Sequence, residues 1–210
     1  TILVNPEYPK TLSDISTELL KLLHEPRLFI DIEGYSLKFY DAKIPTIGFS
    51  KDDKNGIAFA CDWGNQSIEV RKILREFFEN YQGEKVFHNA SYDLKSLILN
   101  LWMDGDLNNN KALLEGLHIM CRNMHDTKII AYLATNTTAG NDLGLKDLSH
   151  EYTGNYAVDV KDITQHSLES ILNYNLTDCC ATSWVFNKYY PMMIENKQLD
   201  VYNNLFMPSL

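Results

Sequence analysis

Two carboxylates interrupt a segment that otherwise has the composition of a buried strand. In LFIDIEGYSL, residues 28–37, Asp31 and Glu33 stand among leucine, phenylalanine and isoleucine. Successive side chains of a strand point to opposite faces, so these two acids project from the same face. Like charges held together in an apolar setting repel each other and lose hydration. A site that gathers cations would offset this cost.

A third acid follows a second short strand, in FHNASYDL at residues 87–94. The strand is predicted to end at His88, and Asn89 is a favourable residue for the N-cap of the next helix. Asp93 would then lie in the first turn of that helix. Because α/β folds bind ligands where strands open into helices, Asp93 is a candidate for the same site.

The fourth acid lies in ILNYNLTDCCATSW, residues 171–184, within a long predicted helix. Tyr174 and Asp178 are four residues apart, so they share one face of the helix, and the three residues between them are predicted to point elsewhere. Singly, such acids could cap turns or interact with a helix dipole, and the tyrosine could be part of the core. The joint pattern of D-x-E, N-x-x-Y-D and Y-x-x-x-D is far more specific.

These three segments resemble the motifs of the DEDD superfamily of 3′–5′ exonucleases, in its tyrosine subgroup. The likeness is strongest to the proofreading exonuclease domain of family A DNA polymerases, of the phage type. The segments at 125–136 and 145–154 resemble stretches that this family places between the second and third motifs, and 201–210 resembles the stretch that leads into the polymerase domain. The likeness covers about residues 28–210 and leaves the first 27 outside.

The resemblance implies a ribonuclease-H-like fold, an α/β domain with a mixed β-sheet flanked by α-helices. Residues 1–27 are interpreted as an N-terminal helical extension and residues 28–210 as the exonuclease domain. The last residues would lead toward a polymerase domain. The implied partners are a single-stranded DNA 3′ end and a polymerase domain in cis or in trans, with no membrane.

The resemblance also assigns roles to the acids and the tyrosine. Asp31, Glu33 and Asp178 are expected to bind divalent metal directly, and Asp93 to hold a second metal through water. Tyr174 is expected to orient the attacking water, because a phenol with a pKa near 10 is a poor base at neutral pH.

Four residues are candidates for substrate contacts. Leu37 and Asn89 fall where the family contacts the terminal nucleotide, and His88 and Tyr92 are further candidates.

This sequence departs from the family pattern in two places. Gly34 follows the D-x-E where relatives often have a hydroxyl residue, and Asn141 stands about where some relatives place an arginine near the scissile phosphate. Asn173 occupies the position at which the sibling subgroup has histidine, so the chain is assigned to the tyrosine subgroup.

The implied cofactor is a pair of divalent ions, Mg²⁺ with Mn²⁺ as a substitute. Two such ions about 4 Å apart activate water for attack on a phosphodiester and stabilise the leaving oxyanion. Hard cations prefer carboxylate oxygens, which explains four acids in one site. The expected product is a nucleoside 5′-monophosphate.

Composition narrows the class of protein. The chain of 210 residues carries 28 acids and 19 bases, a net charge of −9, which argues against an autonomous, tight nucleic-acid binder. Four cysteines without a C-x-x-C pair favour a reduced cytoplasmic setting, or the host cytoplasm for a phage protein. No apolar run approaches the roughly 18 residues of a membrane span, and no leader peptide opens the chain.

The apolar pattern predicts strands and helices in alternation. Turn segments separate three runs that predict an antiparallel meander at 28–33, 44–50 and 57–62. A further short strand is predicted at 85–88 and a polar loop at 104–110. Residues 117–125 are ambiguous and are interpreted as a short strand that enters the helix at 126–135. Helical spacing predicts helices at 11–24, 67–81, 91–102, 126–135, 143–152, 167–191 and 199–207.

Three other interpretations are open to test. His118, Cys121 and His125 could suggest zinc, but no fourth ligand has finger-like spacing. A stand-alone exonuclease of the same superfamily could trim RNA. A non-catalytic module could scaffold a polymerase, although such a module would be expected to lose acids that this chain retains.

Overall fold

The computed structural model describes residues 5–33, 43–135, 143–154 and 167–206. Within them lies a mixed sheet in the order β1-β4-β3-β2-β5-β6. The strands β2, β3 and β4 form the predicted antiparallel meander, and the pairs β1–β4, β2–β5 and β5–β6 are parallel. The strands are β1 (Asn5–Glu7), β2 (Arg27–Glu33), β3 (Thr46–Ser50), β4 (Asn55–Ala60), β5 (Glu84–Phe87) and β6 (Met124–Asp126).

Helices cover both faces of the sheet. They are α1 (Leu12–Leu22), α2 (Ser67–Asn80), α3 (Ala90–Leu101), α4 (Asn110–Met120), α5 (Thr127–Thr135), α6 (Leu145–Leu148), α7 (His150–Thr153), α8 (Leu168–Glu195) and α9 (Leu199–Phe206). In β2, Leu28, Ile30 and Ile32 face a core formed with α1 to α4, whereas Phe29 packs in the core of α5, α8 and α9. The alternation therefore directs Asp31 and Glu33 toward the α8 side.

The segment before residue 27 takes part in the same core. β1 pairs with β4, and α1 buries Ile15, Leu19 and Leu22 in the cluster that also contains residues of α2. The segment therefore supplies an edge strand as well as the predicted helix. The domain boundary at residue 27 stays a prediction.

Besides β1, three elements differ from the sequence-based expectation. α4 was not predicted, because its buried stripe of Ala112, Gly116 and Met120 is narrow and mostly small, and Leu114 is exposed. The helix expected at 143–152 is two short helices that meet at Ser149. α8 continues through Pro191 to Glu195.

A glycine allows α8 to approach the sheet closely. Gly48 of β3 pairs with Asp31 of β2. A Cβ at Gly48 would lie 2.9 Å from Cys179 Sγ and 3.3 Å from the Asn175 carbonyl oxygen. A side chain there would push α8 away from the strand that carries the acids.

All four cysteines are free thiols. Cys61, Cys179 and Cys180 are buried, whereas Cys121 is exposed. Within the described parts of the chain, no helix is long and apolar enough to span a membrane.

Candidate active site

Three acids converge where β2 meets α8. Asp31 and Glu33 project from one face of β2, and α8 crosses that face and brings Asp178 to them. One carboxylate oxygen from each of the three residues lies within 4.8 Å of the other two. This is a suitable donor set for a hard divalent cation, which prefers carboxylate oxygens.

Asn175 holds the first of these acids in place. Its Nδ2 donates hydrogen bonds to the Asp31 carbonyl oxygen at 2.8 Å and to Asp31 Oδ2 at 2.9 Å. The Thr46 hydroxyl in turn donates to Asn175 Oδ1. The expectation that Asn175 points elsewhere was wrong: α8 lies so close to the sheet that this neighbouring side chain is also buried against β2. A polar amide among the apolar residues of a buried helix was the available signal.

Asp93 lies beside the trio but is not part of it. It sits in the first turn of α3 and is 4% exposed. Its Oδ2 atom is buried and has no hydrogen-bond partner among the described residues. Burial, together with the charges of Glu33, Asp126 and Asp178, raises the pKa of Asp93 well above its usual value. An unpaired, buried carboxylate oxygen is suited to a cation or to a water that a cation holds.

Burial and neighbouring charges also raise pKa values within the trio. Burial and the charges of Asp178, Asp93 and Glu33 raise the pKa of Asp31 well above its usual value, although the Asn175 hydrogen bond opposes this. Burial and Asp178 raise the pKa of Glu33 to about 8. Without a cation the cluster therefore tends to take up protons.

A base that sequence reasoning missed acts electrostatically on this cluster. Lys146 on α6 acts on Glu33 and partly offsets the rise of its pKa. It follows the loop in which the family arginine was sought, and Asn141 of that loop lies outside the described residues. Lys146 lies in the segment 143–152, whose sequence pattern predicts only a helix.

Tyr174 has the predicted relation to Asp178. It lies one turn earlier on α8 and is half-buried, whereas Asn173 is exposed. The position is compatible with a hydroxyl near the acids.

The junction between β5 and α3 differs from the expected cap. Asn89 has a left-handed backbone, with φ 63° and ψ 59°, and its side chain makes no capping hydrogen bond. Instead the Asp126 carboxylate accepts hydrogen bonds from the backbone N–H groups of Asn89, at 3.0 Å, and Ala90, at 2.9 Å. The partner comes from 37 residues away, so sequence reasoning did not find it.

The other candidates for substrate contacts occupy different environments. His88 places Nδ1 2.8 Å from the Thr127 hydroxyl and Nε2 2.9 Å from the Leu143 carbonyl oxygen, so both ring nitrogens have protein partners. Burial lowers the pKa of His88. Tyr92 is half-buried, and burial with the charges of Asp93, Glu33 and Asp31 raises its pKa. Leu37 lies outside the described residues.

The zinc interpretation finds no support in the described part of the chain. There, the acidic trio is the group whose ligand atoms converge. His125 instead contacts the Tyr202 hydroxyl and Glu84.

Comparison with known proteins identifies the family. The sequence profile of the 3′–5′ exonuclease family matches residues 6–194, nearly the whole chain. The chain belongs to the 3′–5′ exonuclease family. The match begins at residue 6, so the sequence-based view that the first 27 residues lie outside the likeness was too narrow. No curated protein sequence matches the exonuclease.

Solved structures confirm the predicted fold. The exonuclease superposes on the POL domain of Pol1 from M. smegmatis with a TM-score of 0.63 and 14% identity, over 94% of this chain and 29% of that one. The catalytic core of RRP6 from Trypanosoma brucei superposes with a TM-score of 0.64 and 16% identity, over 96% of this chain and 51% of that one. NrnC from Brucella melitensis, with bound Mg²⁺, superposes with a TM-score of 0.64 and 15% identity, over 98% of this chain and 89% of that one. The chain thus spans less than a third of the polymerase and about half of the RRP6 core.

The family assignment also confirms two predictions from the sequence. The exonuclease is a phosphodiester hydrolase, and members of this superfamily use two divalent metal ions. The acidic trio fits such a cofactor.

Proposed function

We propose that this exonuclease is the proofreading domain of a DNA polymerase. It removes nucleoside 5′-monophosphates from single-stranded 3′ DNA ends during replication. The convergence of Asp31, Glu33 and Asp178 carries the catalytic part of this proposal. The likeness of the motifs to family A polymerases, and the superposition on the mycobacterial polymerase, support the polymerase context. The unpaired cysteines favour a reducing cytoplasmic setting.

In this proposal the acids divide into two groups. Asp31, Glu33 and Asp178 bind one divalent ion directly, and Asp93 holds the second through water. When bound, the two ions supply an activated water and charge stabilisation for the leaving oxygen. Asn175 keeps the Asp31 carboxylate oriented, and Lys146 adds positive charge near Glu33.

The tyrosine and the α3 junction would orient the reactants. We assign to the Tyr174 hydroxyl the positioning of the attacking water, one helical turn from Asp178. Asn89, which is exposed at the junction, and Tyr92 are proposed to contact the terminal nucleotide, as is Leu37. His88 would support this site through Thr127 and Leu143, since both its ring nitrogens have protein partners.

A stand-alone RNA-trimming exonuclease is the second candidate. The observation that favours it is the similarity to the RRP6 core and to RNase D from Escherichia coli, which has a TM-score of 0.61, 15% identity and coverage of 99% and 52%. A non-catalytic scaffold is disfavoured, because the four acids and Tyr174 are all present.

One experiment separates the three possibilities. DNA and RNA oligonucleotides of matched sequence, single-stranded or with a paired or mismatched 3′ end, are incubated with Mg²⁺, and the 5′-monophosphates released are quantified. Proofreading predicts faster release from single-stranded and mismatched DNA than from paired DNA or RNA. Preference for RNA would favour the second candidate, and no release would favour the scaffold.

Two controls make the result specific to this site. Asp31→Ala, purified in parallel, measures any contaminating nuclease. Excess chelator should abolish release by the wild-type protein, because the acids act through divalent ions. Full activity in chelator would contradict the metal-dependent mechanism.

A further inference from the structure

We propose that Asp126 is a positioning residue for the exonuclease reaction: it fixes the β5–α3 junction and thereby the place of Asp93. The inference rests on the proposed function, in which Asp93 holds the second metal ion. Asp126 is the last residue of β6 and is 6% exposed. It does not belong to the converging acidic trio.

The Asp126 carboxylate joins two helix N-termini. It accepts hydrogen bonds from the backbone N–H groups of Asn89 and Ala90, at the start of α3, and of Lys128 in the first turn of α5, at 2.9 Å. An anionic acceptor is stabilised by the orphan N–H groups and the positive end of a helix dipole. The carboxylate thus holds α3 and α5 in a fixed relation.

Asp93 depends on this attachment more than an ordinary side chain would. Its buried Oδ2 has no hydrogen-bond partner among the described residues, so the backbone of α3 largely sets where it lies. That backbone turns sharply at Asn89, whose left-handed conformation costs energy for a residue with a Cβ. Because the Asn89 side chain does not cap α3, the restraint comes from Asp126.

A second contact fixes Asp126 from the other side of the sheet. The Tyr202 hydroxyl of α9 accepts a hydrogen bond from the Asp126 backbone N–H at 3.2 Å and contacts His125 Nδ1 at 2.7 Å. The Tyr202 ring also stacks on the His125 ring, with centroids 5.8 Å apart. The line of contacts therefore runs from α9 through Asp126 to the start of α3.

The test compares metal binding with excision. Mn²⁺ binding to the whole chain is measured by calorimetry, and single-turnover excision is measured against Mg²⁺ concentration, for wild type, Asp126→Asn and Asp93→Ala. Asp52→Asn is the matched control, because Asp52 accepts backbone hydrogen bonds from Lys54 and Asn55 in the β3–β4 turn. Changes to residues that orient metal ligands typically cost about 10- to 100-fold in affinity or activity.

We expect Asp126→Asn to weaken the second Mn²⁺ by about 10-fold or more and to raise the half-maximal Mg²⁺ concentration to match. The first Mn²⁺ should bind as in wild type, and excess Mg²⁺ should restore much of the rate. A folded Asp126→Asn with wild-type Mn²⁺ binding and Mg²⁺ dependence would overturn the inference. If instead Asp93→Ala excises at the wild-type rate, the proposed role of Asp93 itself fails.

If Asp126→Asn does not fold, Tyr202→Phe supplies the test. This variant keeps the stacked ring and removes the hydroxyl that fixes Asp126. The Mg²⁺ concentration that gives half the maximal rate should rise by a few-fold, because the variant loses about one hydrogen bond. An unchanged Mg²⁺ dependence would overturn the inference.

Discussion

Asp31, which is half-buried, and Asp93, which is buried, both have raised pKa values, yet the protein holds them in different ways. Asp31 lies on a seven-residue strand paired on both sides, and the Asn175 amide binds its carboxylate. Asp93 lies in one turn of a helix, and its buried Oδ2 has no partner among the described residues. One acid is oriented through its side chain, and the other through its backbone. The two halves of the site should therefore respond differently to mutation.

The largest effect is expected when the acids themselves are removed. Asp31→Ala should lower single-turnover excision by more than about 1,000-fold, because it removes a direct metal ligand. Asp93→Ala should also be severely impaired, but with tight binding of the first ion retained. Calorimetry with Mn²⁺ and rapid-quench kinetics measure both quantities, with Asp200→Ala, exposed on α9, as the control.

Thermal unfolding in chelator checks that these variants fold. Removing one member of a repelling, half-buried cluster should leave the unfolding temperature unchanged or raise it. If Asp31→Ala retains more than a small fraction of the wild-type rate, the metal site has been placed wrongly.

Tyr174→Phe should have the next largest effect. The variant keeps the ring packing and the acids but loses the hydroxyl that is proposed to position water. Loss of that positioning should slow turnover by roughly 10- to 1,000-fold with little change in substrate affinity. The measurement is single-turnover excision at saturating Mg²⁺. A wild-type rate would mean that Tyr174 has a role in packing alone.

Asn175→Ala sharpens the comparison between the two acids. It removes the hydrogen bond to Asp31 and leaves the Thr46 hydroxyl without its acceptor. The rate should fall by about 10- to 100-fold, and affinity for the first ion should fall while that for the second changes less. Asp126→Asn should lower affinity for the second ion and change affinity for the first ion less. Equal effects of both variants on both ions would remove the distinction between side-chain and backbone support.

The last prediction concerns stability as pH changes. The pKa of Glu33 is raised from 4.5 to about 8, so the folded protein binds more protons than the unfolded chain between these values. The free energy of unfolding without metal should therefore decrease as pH rises from about 4.5 to about 8. The pKa values of Asp31 and Asp93 are also raised, so these residues likewise make the free energy of unfolding decrease as pH rises.

Divalent metal should remove this dependence, because it compensates the charge of the ionised acids. Stabilisation by Mg²⁺, measured as the difference in unfolding temperature from a chelator sample, should therefore be larger at pH 8 than at pH 5. A larger difference at pH 5 would contradict the raised pKa values of these acids.

Local pattern was enough to predict much of the fold. The apolar run of β2 with its alternate acids, the meander, and the helices α2 and α3 are each encoded by neighbouring residues. α4 was not predicted, because its stripe of buried residues is narrow. β1 was not predicted because Asn5, Pro6 and Glu7 are exposed and have no apolar pattern, so they form a strand only by pairing with β4.

The support of the site was harder to predict than its acids. Motif spacing identified the acids and the tyrosine, since each motif is local. The contact between Asn175 and Asp31 joins residues 144 apart in sequence, and that between Asp126 and Asn89 joins residues 37 apart. Such contacts depend on how closely α8 and β6 approach β2 and α3, which Gly48 helps to set for α8.

The distribution of thiols offers a native position for a spectroscopic reporter. Cys61, Cys179 and Cys180 are buried, and burial raises their pKa values, so they should react slowly with maleimides. Cys121 is exposed and precedes β6, at the end of that strand opposite Asp126. A single fluorophore attached there would label the protein at the end of β6 away from Asp126, without changing the acids.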